Sequence, residues 1–187
     1  MLQDDLFKGK LVRLCAIDAK TMAEAASKWS RDSEYMRLGT SDPARTYSVK
    51  STTEWFDKEQ EKELPSYFPF AIRLLEDDRL IGDIGLGGIQ WTHGNAFVGI
   101  GLGDRAYWGK GYGTDAMQVI LRYAFKELNL HRVSLDVFEY NPRAIRSYEK
   151  AGFVHEGRMR RMLNREGQRW DMVFMGILRE EWMKVGE

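Results

Sequence analysis

The chain has 187 residues, enough for one domain with its own hydrophobic core. Its 28 Lys and Arg equal its 28 Asp and Glu, so it lacks the cationic excess of a generic nucleic-acid or anionic-membrane binder. A hydrophobic content of 43% with four prolines excludes a disordered chain, and a single cysteine, Cys15, excludes an intramolecular disulfide or a multi-thiolate metal site.

The opening residues Met1-Leu2-Gln3-Asp4-Asp5 are polar and acidic, and no apolar run approaches the ~18–20 residues of a membrane span. The expectation is a cytoplasmic protein with neither membrane nor nucleic acid as partner. Residues 10–15 alternate, with Leu11, Val12 and Leu14 apolar, and predict a first strand. Asp18 caps a helix running to about Trp29, and residues 30–41 read as a loop. A second helix is expected over 51–62, marked by Trp55, Phe56 and Glu59. Residues 70–75, the turn Glu76-Asp77-Asp78 and residues 80–89 form a predicted hairpin. Another strand follows at 96–102.

The strongest helical period covers 114–128, where Met117, Ile120, Leu121, Ala124, Phe125 and Leu128 recur at three and four. Residues 132–138 alternate through Val133, Leu135 and Val137, so a strand follows that helix and pairs in parallel within a βαβ unit. Asn141-Pro142 opens a short helix that Gly152 closes. Two last strands, 157–163 and 169–178, flank the turn Asn164-Arg165-Glu166-Gly167. The sum is a mixed α/β fold (α+β) with a sheet of about seven strands.

Eleven of the 18 glycines lie from Gly82 to Gly113, and none lies between Gly113 and Gly152. That density fits either a twisted, bulged sheet or a backbone surface approached by a ligand. The segment Trp108-Gly109-Lys110-Gly111-Tyr112-Gly113-Thr114 sits between a strand and the strongest helix. Unpaired amides at a helix N-terminus attract an anion, the glycines remove side chains from its path, and Lys110 adds charge, so a phosphate or pyrophosphate is the natural guest. The alternative is a tight turn with nothing bound. The nucleotide-triphosphate pattern G-x-x-x-x-G-K-[ST] is absent. Gly101-Leu102-Gly103-Asp104-Arg105-Ala106 fits G-x-G-x-x-A, but Tyr107, Trp108 and three more glycines separate it from the helix that a dinucleotide site needs.

Residues 100–117, followed by Asn141-Pro142-Arg143-Ala144-Ile145-Arg146-Ser147-Tyr148-Glu149-Lys150-Ala151-Gly152-Phe153, resemble the GNAT superfamily of N-acetyltransferases. The resemblance is nearest to the ribosomal-protein N-terminal acetyltransferases of RimJ and RimL type, with spermidine acetyltransferases close by. The acetyl-CoA loop pattern [QR]-x-x-G-x-[GA] falls on Trp108, Gly111 and Gly113, with Trp108 departing from Gln or Arg. The pattern N-x-x-A-x-x-x-Y-x-K-x-G-F is complete at Asn141, Ala144, Tyr148, Lys150, Gly152 and Phe153. The likeness spans about residues 11–182 and implies one GNAT domain over 1–187, with a mostly antiparallel sheet, a splayed central strand pair and flanking helices.

The resemblance implies acetyl-CoA as acetyl donor, no metal, and a primary amine as acceptor. It implies that amides of Gly109, Gly111, Tyr112, Gly113 and Thr114, with Lys110 and Trp108 in the same loop, hold the pyrophosphate. Ile100, Gly101 and Leu102 lie on the strand along which pantetheine would insert, where Gly99, Gly101 and Gly103 leave one side bare. Tyr148, by spacing alone a core tyrosine beside Ala144, Ile145 and Ala151, is implied as the acid that protonates the leaving thiolate. Asn141 caps its helix and is a candidate contact for the pantetheine amide. Arg143 and Arg146 are either contacts for the 3′-phosphate or solvated helix surface.

Asp83 in a strand and Glu34 in the 30–41 loop are the candidate bases, set against ordinary structural or solvated roles. Cys15 and the three isolated histidines read as structural, so direct transfer in a ternary complex is expected. The acceptor is expected to be a protein N-terminal amine, with a spermidine-like polyamine as the alternative and a non-catalytic CoA-binding regulatory domain as the non-enzyme reading. The acceptor side falls to residues 30–41 and 55–69, where Asp32, Glu34, Asp42, Glu59, Glu61 and Glu63 mix with Tyr35, Trp55 and Phe56. A monomer and a homodimer are both compatible with the chain.

Overall fold

A computed structural model describes residues 5–60 and 67–185. Its elements are β1 (Val12–Cys15), α1 (Ala19–Trp29), α2 (Ser33–Gly39), α3 (Val49–Gln60), β2 (Tyr67–Leu74), β3 (Leu80–Gln90), β4 (Asn95–Leu102), α4 (Tyr112–Arg122), β5 (Arg132–Phe138), α5 (Pro142–Ala151), β6 (Val154–Arg165), β7 (Gln168–Leu178) and α6 (Arg179–Val185). The seven strands form one sheet in the order β1-β2-β3-β4-β5-β7-β6. Every neighbouring pair is antiparallel except β4–β5, the parallel pair expected across the long helix.

Alternation along the strands divides the apolar residues between two faces. Ile72, Ile84, Leu86, Val98, Val133 and Leu135 pack with Ala116, Met117, Ile120 and Leu121 of α4 in the main core. On the opposite face Ala71 joins Ile17, Met22 and Phe56, packed by Trp29, in a smaller core under α1 and α3. The central feature is a short pairing. β4 and β5 register only at Asn95↔Arg132, Ala96↔Val133 and Phe97↔Ser134. Beyond these, β4 stays with β3 to Gly82↔Leu102, and β5 stays with β7 to Phe138↔Met172. A wedge therefore opens between residues 98–102 and 135–138.

Several elements differ from the sequence expectation. The 30–41 stretch is not all loop: Asp32 accepts from the amides of Glu34 (3.0 Å) and Tyr35 (3.4 Å) and starts α2. The second helix begins at Val49, and the expected residues 61 and 62 lie outside the described residues. The long helix starts at Tyr112 and widens after Arg122, where the Leu128 amide bonds to the Tyr123 carbonyl five residues back. β6 begins at Val154, and α6 adds a final helix whose Trp182 packs on Phe125 at 5.5 Å.

One polar anchor fixes α4 against the sheet. The buried carboxylate of Asp115, in the first turn of α4, accepts from the amides of Lys10 (2.9 Å), Leu11 (2.8 Å) and Val12 (3.0 Å). It uses the free amides at the entry to β1 as its solvation shell, and Gly9 leaves room for it, since a Cβ there would meet its carboxylate oxygens. Replacing Asp115 by Ala leaves three amides unpaired, two of them partly buried and one buried. We expect a loss of about 2–4 kcal/mol of stability, read as a lower urea midpoint with unchanged slope.

Candidate active site

The wedge between β4 and β5 is the wall of a cavity of about 470 Å³. It is within the usual range for a ligand pocket. Two helix N-termini flank it, α4 and α5, each started by a feature visible in the sequence. Gly111 caps α4 at φ 92°, and Gly109 before it sits at φ 72°, conformations that only glycine adopts without strain. The first bond entering the helix is Asp115 N to Gly111 O at 2.9 Å, so the amides of Tyr112, Gly113 and Thr114 have no helical acceptor, and among the described residues no side chain caps them. A Cβ on Gly109 would meet nothing within 4 Å, and one on Gly111 only Leu11 at 3.6 Å, so the loop's surface is open. That open set of donors at a helix N-terminus fits a diphosphate.

α5 starts at Asn141, whose Oδ1 accepts from the Ala144 amide at 3.2 Å, and it ends at Gly152 with φ 101°. Its pocket face brings Asn141, Arg143, Ala144, Arg146, Ser147, Tyr148 and Lys150 to the cavity. Thr114 Oγ1 and Ser147 Oγ, 2.7 Å apart, tie the start of α4 to α5. Among the described residues the Tyr148 hydroxyl has no hydrogen-bond partner, and burial, then the charge of Asp136, pushes it up to about 12. The phenol therefore holds its proton at neutral pH.

Of the expected site residues, Ile100, Gly101, Leu102, Trp108, Gly109, Gly111, Gly113, Thr114, Asn141, Arg143, Arg146 and Tyr148 line this cavity. Lys110, Tyr112, Asp83 and Glu34 do not. Lys110 is exposed, and the Tyr112 ring turns to Tyr107 at 5.6 Å. Glu34 lies in α2 rather than a loop, and its half-exposed carboxylate pairs with Arg105 at 2.5 Å. Arg105 also bonds both oxygens of Asp32, at 2.5 and 2.6 Å, which holds Asp32 down at about 2.

Asp83 stands behind β4, close to Gly101, with no hydrogen bond or ion pair among the described residues. Burial alone pushes its carboxyl up to about 6. The alternating glycines along and just after β4 do different work from that expected. A Cβ on Gly101 would crowd the Tyr35 hydroxyl at 3.0 Å and Asp83 at 3.4 Å, and one on Gly103 would enter the Trp29 ring, so these two glycines admit protein side chains. Gly99 alone faces open space.

Sequence reasoning missed Asp136 and Leu38, which line the cavity with Tyr35, one of the aromatics offered for the acceptor side. Asp136 sits one residue beyond Leu135 in β5, on the face opposite the main core, exposed at the cavity, where partial desolvation raises its carboxyl. Its only sequence signal is an acidic residue inside an apolar strand. Glu59, Glu61 and Glu63, offered for the acceptor side, have side chains outside the described residues. No group of three or more His, Cys, Asp or Glu among the described residues is placed to hold a metal. No described helix is long and apolar enough to cross a membrane.

The family model for the acetyltransferase (GNAT) domain matches residues 10–154. The chain belongs to the GNAT acetyltransferases. Probable N-acetyltransferase YjcK of Bacillus subtilis (strain 168) is 31% identical over 180 residues, covering 92% of this chain and 97% of that protein. Spermidine N(1)-acetyltransferase of Vibrio cholerae is 33% identical over 108 residues, 58% of this chain and 62% of that one. The crystal structure of the Vibrio cholerae spermidine N-acetyltransferase in complex with CoA and spermine superposes with a TM-score of 0.81 at 24% identity, covering 92% and 98% of the two chains, and so shares the fold. This GNAT protein is thus an acetyl-CoA-dependent N-acetyltransferase.

The raised carboxyl of Asp83 makes a signed prediction. An acid whose pKa is higher folded than unfolded favours the native state below its unfolded value and costs stability as pH rises through about 6. The Asp83→Asn protein should match the parent in thermal stability at pH 4 and exceed it at pH 8. Equal curves at both pH values would contradict the assignment.

Proposed function

We propose that this GNAT enzyme moves the acetyl group of acetyl-CoA directly to a primary amine, both bound together across the β4–β5 wedge. The observation that carries the reading is the single cavity joining the open helix N-terminus at Gly109–Thr114 to the unpartnered hydroxyl of Tyr148. When bound, acetyl-CoA supplies the activated thioester. The amides at the start of α4 hold its diphosphate. The edge of β4 at Ile100–Leu102, unpaired on the β5 side, offers main-chain donors and acceptors along the pantetheine arm and an N–H toward the carbonyl oxygen. Asn141, already capping α5, contributes its side-chain amide to the same arm. Arg143 and Arg146 face the phosphates.

Tyr148 keeps a proton on its phenol oxygen for the departing sulfur. Asp83 takes the proton of the acceptor ammonium, through water, from the far side of β4; with Glu34 bonded to Arg105, Asp83 is the better base of the two. Cys15, in β1, is not among the residues lining the cavity, which agrees with transfer without an acetyl-enzyme.

For the acceptor we favour a protein N-terminal amine. Tyr35, Leu38, Gly39 and Phe138 also line the cavity, and the acidic pair Asp32 and Glu34 at the start of α2 is neutralised by Arg105. A second reading, a spermidine-like polyamine, has its own support. Asp83 and Asp136 are two carboxylates without an ion-pair partner among the described residues, and the Vibrio cholerae relative is named for spermidine. Thiol release measured across N-terminal peptides, spermidine and free amino acids separates the two. A peptide preference supports the first reading, a spermidine preference the second, and no turnover with any amine the regulatory-domain alternative.

Tyr148→Phe should lower kcat by about 10²–10⁴-fold while the acetyl-CoA Kd stays within about twofold. An unchanged kcat would remove Tyr148 from the mechanism. The parent's kcat/KM should fall on the acid side below about pH 6, as Asp83 takes up its proton, and that limb should disappear in Asp83→Asn.

A further inference from the structure

Trp108 stands where the family pattern has Gln or Arg, residues with several side-chain donors. Indole has one donor, its Nε1–H. That donor bonds to the Leu102 carbonyl at 2.7 Å, closing the loop back onto the end of β4. The Trp108 side chain therefore has no polar atom left for a ligand, yet it lines the cavity beside Gly109 and Gly111.

What it offers instead is its ring face. The Arg143 guanidinium lies 3.9 Å from the ring centroid, close stacking range, while Arg105 lies further off at 5.5 Å. The two arginines differ in their charge partners. Arg105 is bonded to Asp32 and Glu34. Arg143 has no carboxylate within ion-pair distance and no hydrogen bond among the described residues; what holds its guanidinium is the Trp108 ring. The nearest acidic field comes from Glu34, which Arg105 already engages. A partly buried guanidinium that lines a cavity, lies over an aromatic ring and has none of its N–H groups bonded among the described residues is arranged for an oxyanion.

We propose that Trp108 is a positioning residue: by stacking on Arg143 it directs that guanidinium at a phosphate of CoA, so that the side-chain N–H donor the family pattern carries at position 108 is supplied here from α5. This rests on the acetyl-CoA reading above. The ligand chemistry is a phosphate oxyanion, from either the diphosphate or the 3′-phosphate of CoA.

The test is calorimetric titration of the full-length protein and its variants with CoA and with 3′-dephospho-CoA, with kcat/KM for S-acetylpantetheine as the phosphate-free control. Arg143→Ala and Trp108→Ala should each weaken CoA binding by about 10- to 100-fold, the usual range for a charge-assisted bond. The double variant should be no weaker than Arg143→Ala alone, because one residue acts through the other. Trp108→Phe, which keeps a ring face and drops the N–H, should stay within about threefold of the parent. The kcat/KM for S-acetylpantetheine, which has no phosphate, should fall in each alanine variant by a smaller factor than the CoA affinity does. A loss that vanishes with 3′-dephospho-CoA assigns the 3′-phosphate, and one that persists assigns the diphosphate; both support the proposal. Parent-like CoA binding by Trp108→Ala, or an equal loss with S-acetylpantetheine, overturns it. Failure of the parent itself to bind CoA would instead overturn the acetyl-CoA reading.

Discussion

The structure depends on a parallel strand pair that holds together for three residues and then lets go. β4 and β5 share register from Asn95 to Phe97, after which each follows its outer neighbour. A continuous ladder would satisfy every backbone group but leave no place for an extended substrate. Parting the two strands in mid-sheet exposes main-chain donors and acceptors on both lips, which is costly unless something pairs with them. The helices α4 and α5 aim their N-termini at that opening. Geometry, charge and unpaired polar groups thus converge on one wedge.

Holding a wedge open requires ties around it. Asp115 anchors the first turn of α4 to the entry of β1, and Thr114 joins the same turn to Ser147 of α5. Arg105 clamps the segment after β4 to α2 through Asp32 and Glu34. The β6–β7 hairpin reaches back to α2 and the residues after it: Arg37 pairs with Glu166 at 2.5 Å, and Arg165 bonds the Thr40 carbonyl at 2.7 Å. These ties bind the elements around the wedge to one another, so the residues lining it are placed by several elements at once rather than by one loop.

Much of this was legible in the chain. The alternation of Val133, Leu135 and Val137 and the three-and-four spacing from Met117 to Leu128 are strong local signals, and Asn141, Pro142 and Gly152 bound α5 as their backbone preferences require. The left-handed turns at Gly109 and Gly111 were visible as glycines. Long-range facts were not. Nothing local tells that Gly101 and Gly103 make room for Tyr35 and Trp29, or that Glu34 is bonded to Arg105 seventy-one positions away. α2 was missed because seven residues give little periodicity, and its start rests on one Asx cap at Asp32. Asp136 was missed because its meaning comes from where β4 stops pairing, a property of the sheet and not of the strand.

The central claim is that the amides at the start of α4 and the bare lip of β4 bind acetyl-CoA. Backbone amide spectra of glycine-labelled protein, recorded while CoA is added, test it most directly. The account predicts saturable shifts for Gly99, Gly101, Gly109, Gly111 and Gly113, with Gly157 and Gly167 on the far hairpin unmoved. Spectra that stay unchanged to millimolar CoA, or shifts confined to glycines away from the wedge, would contradict it.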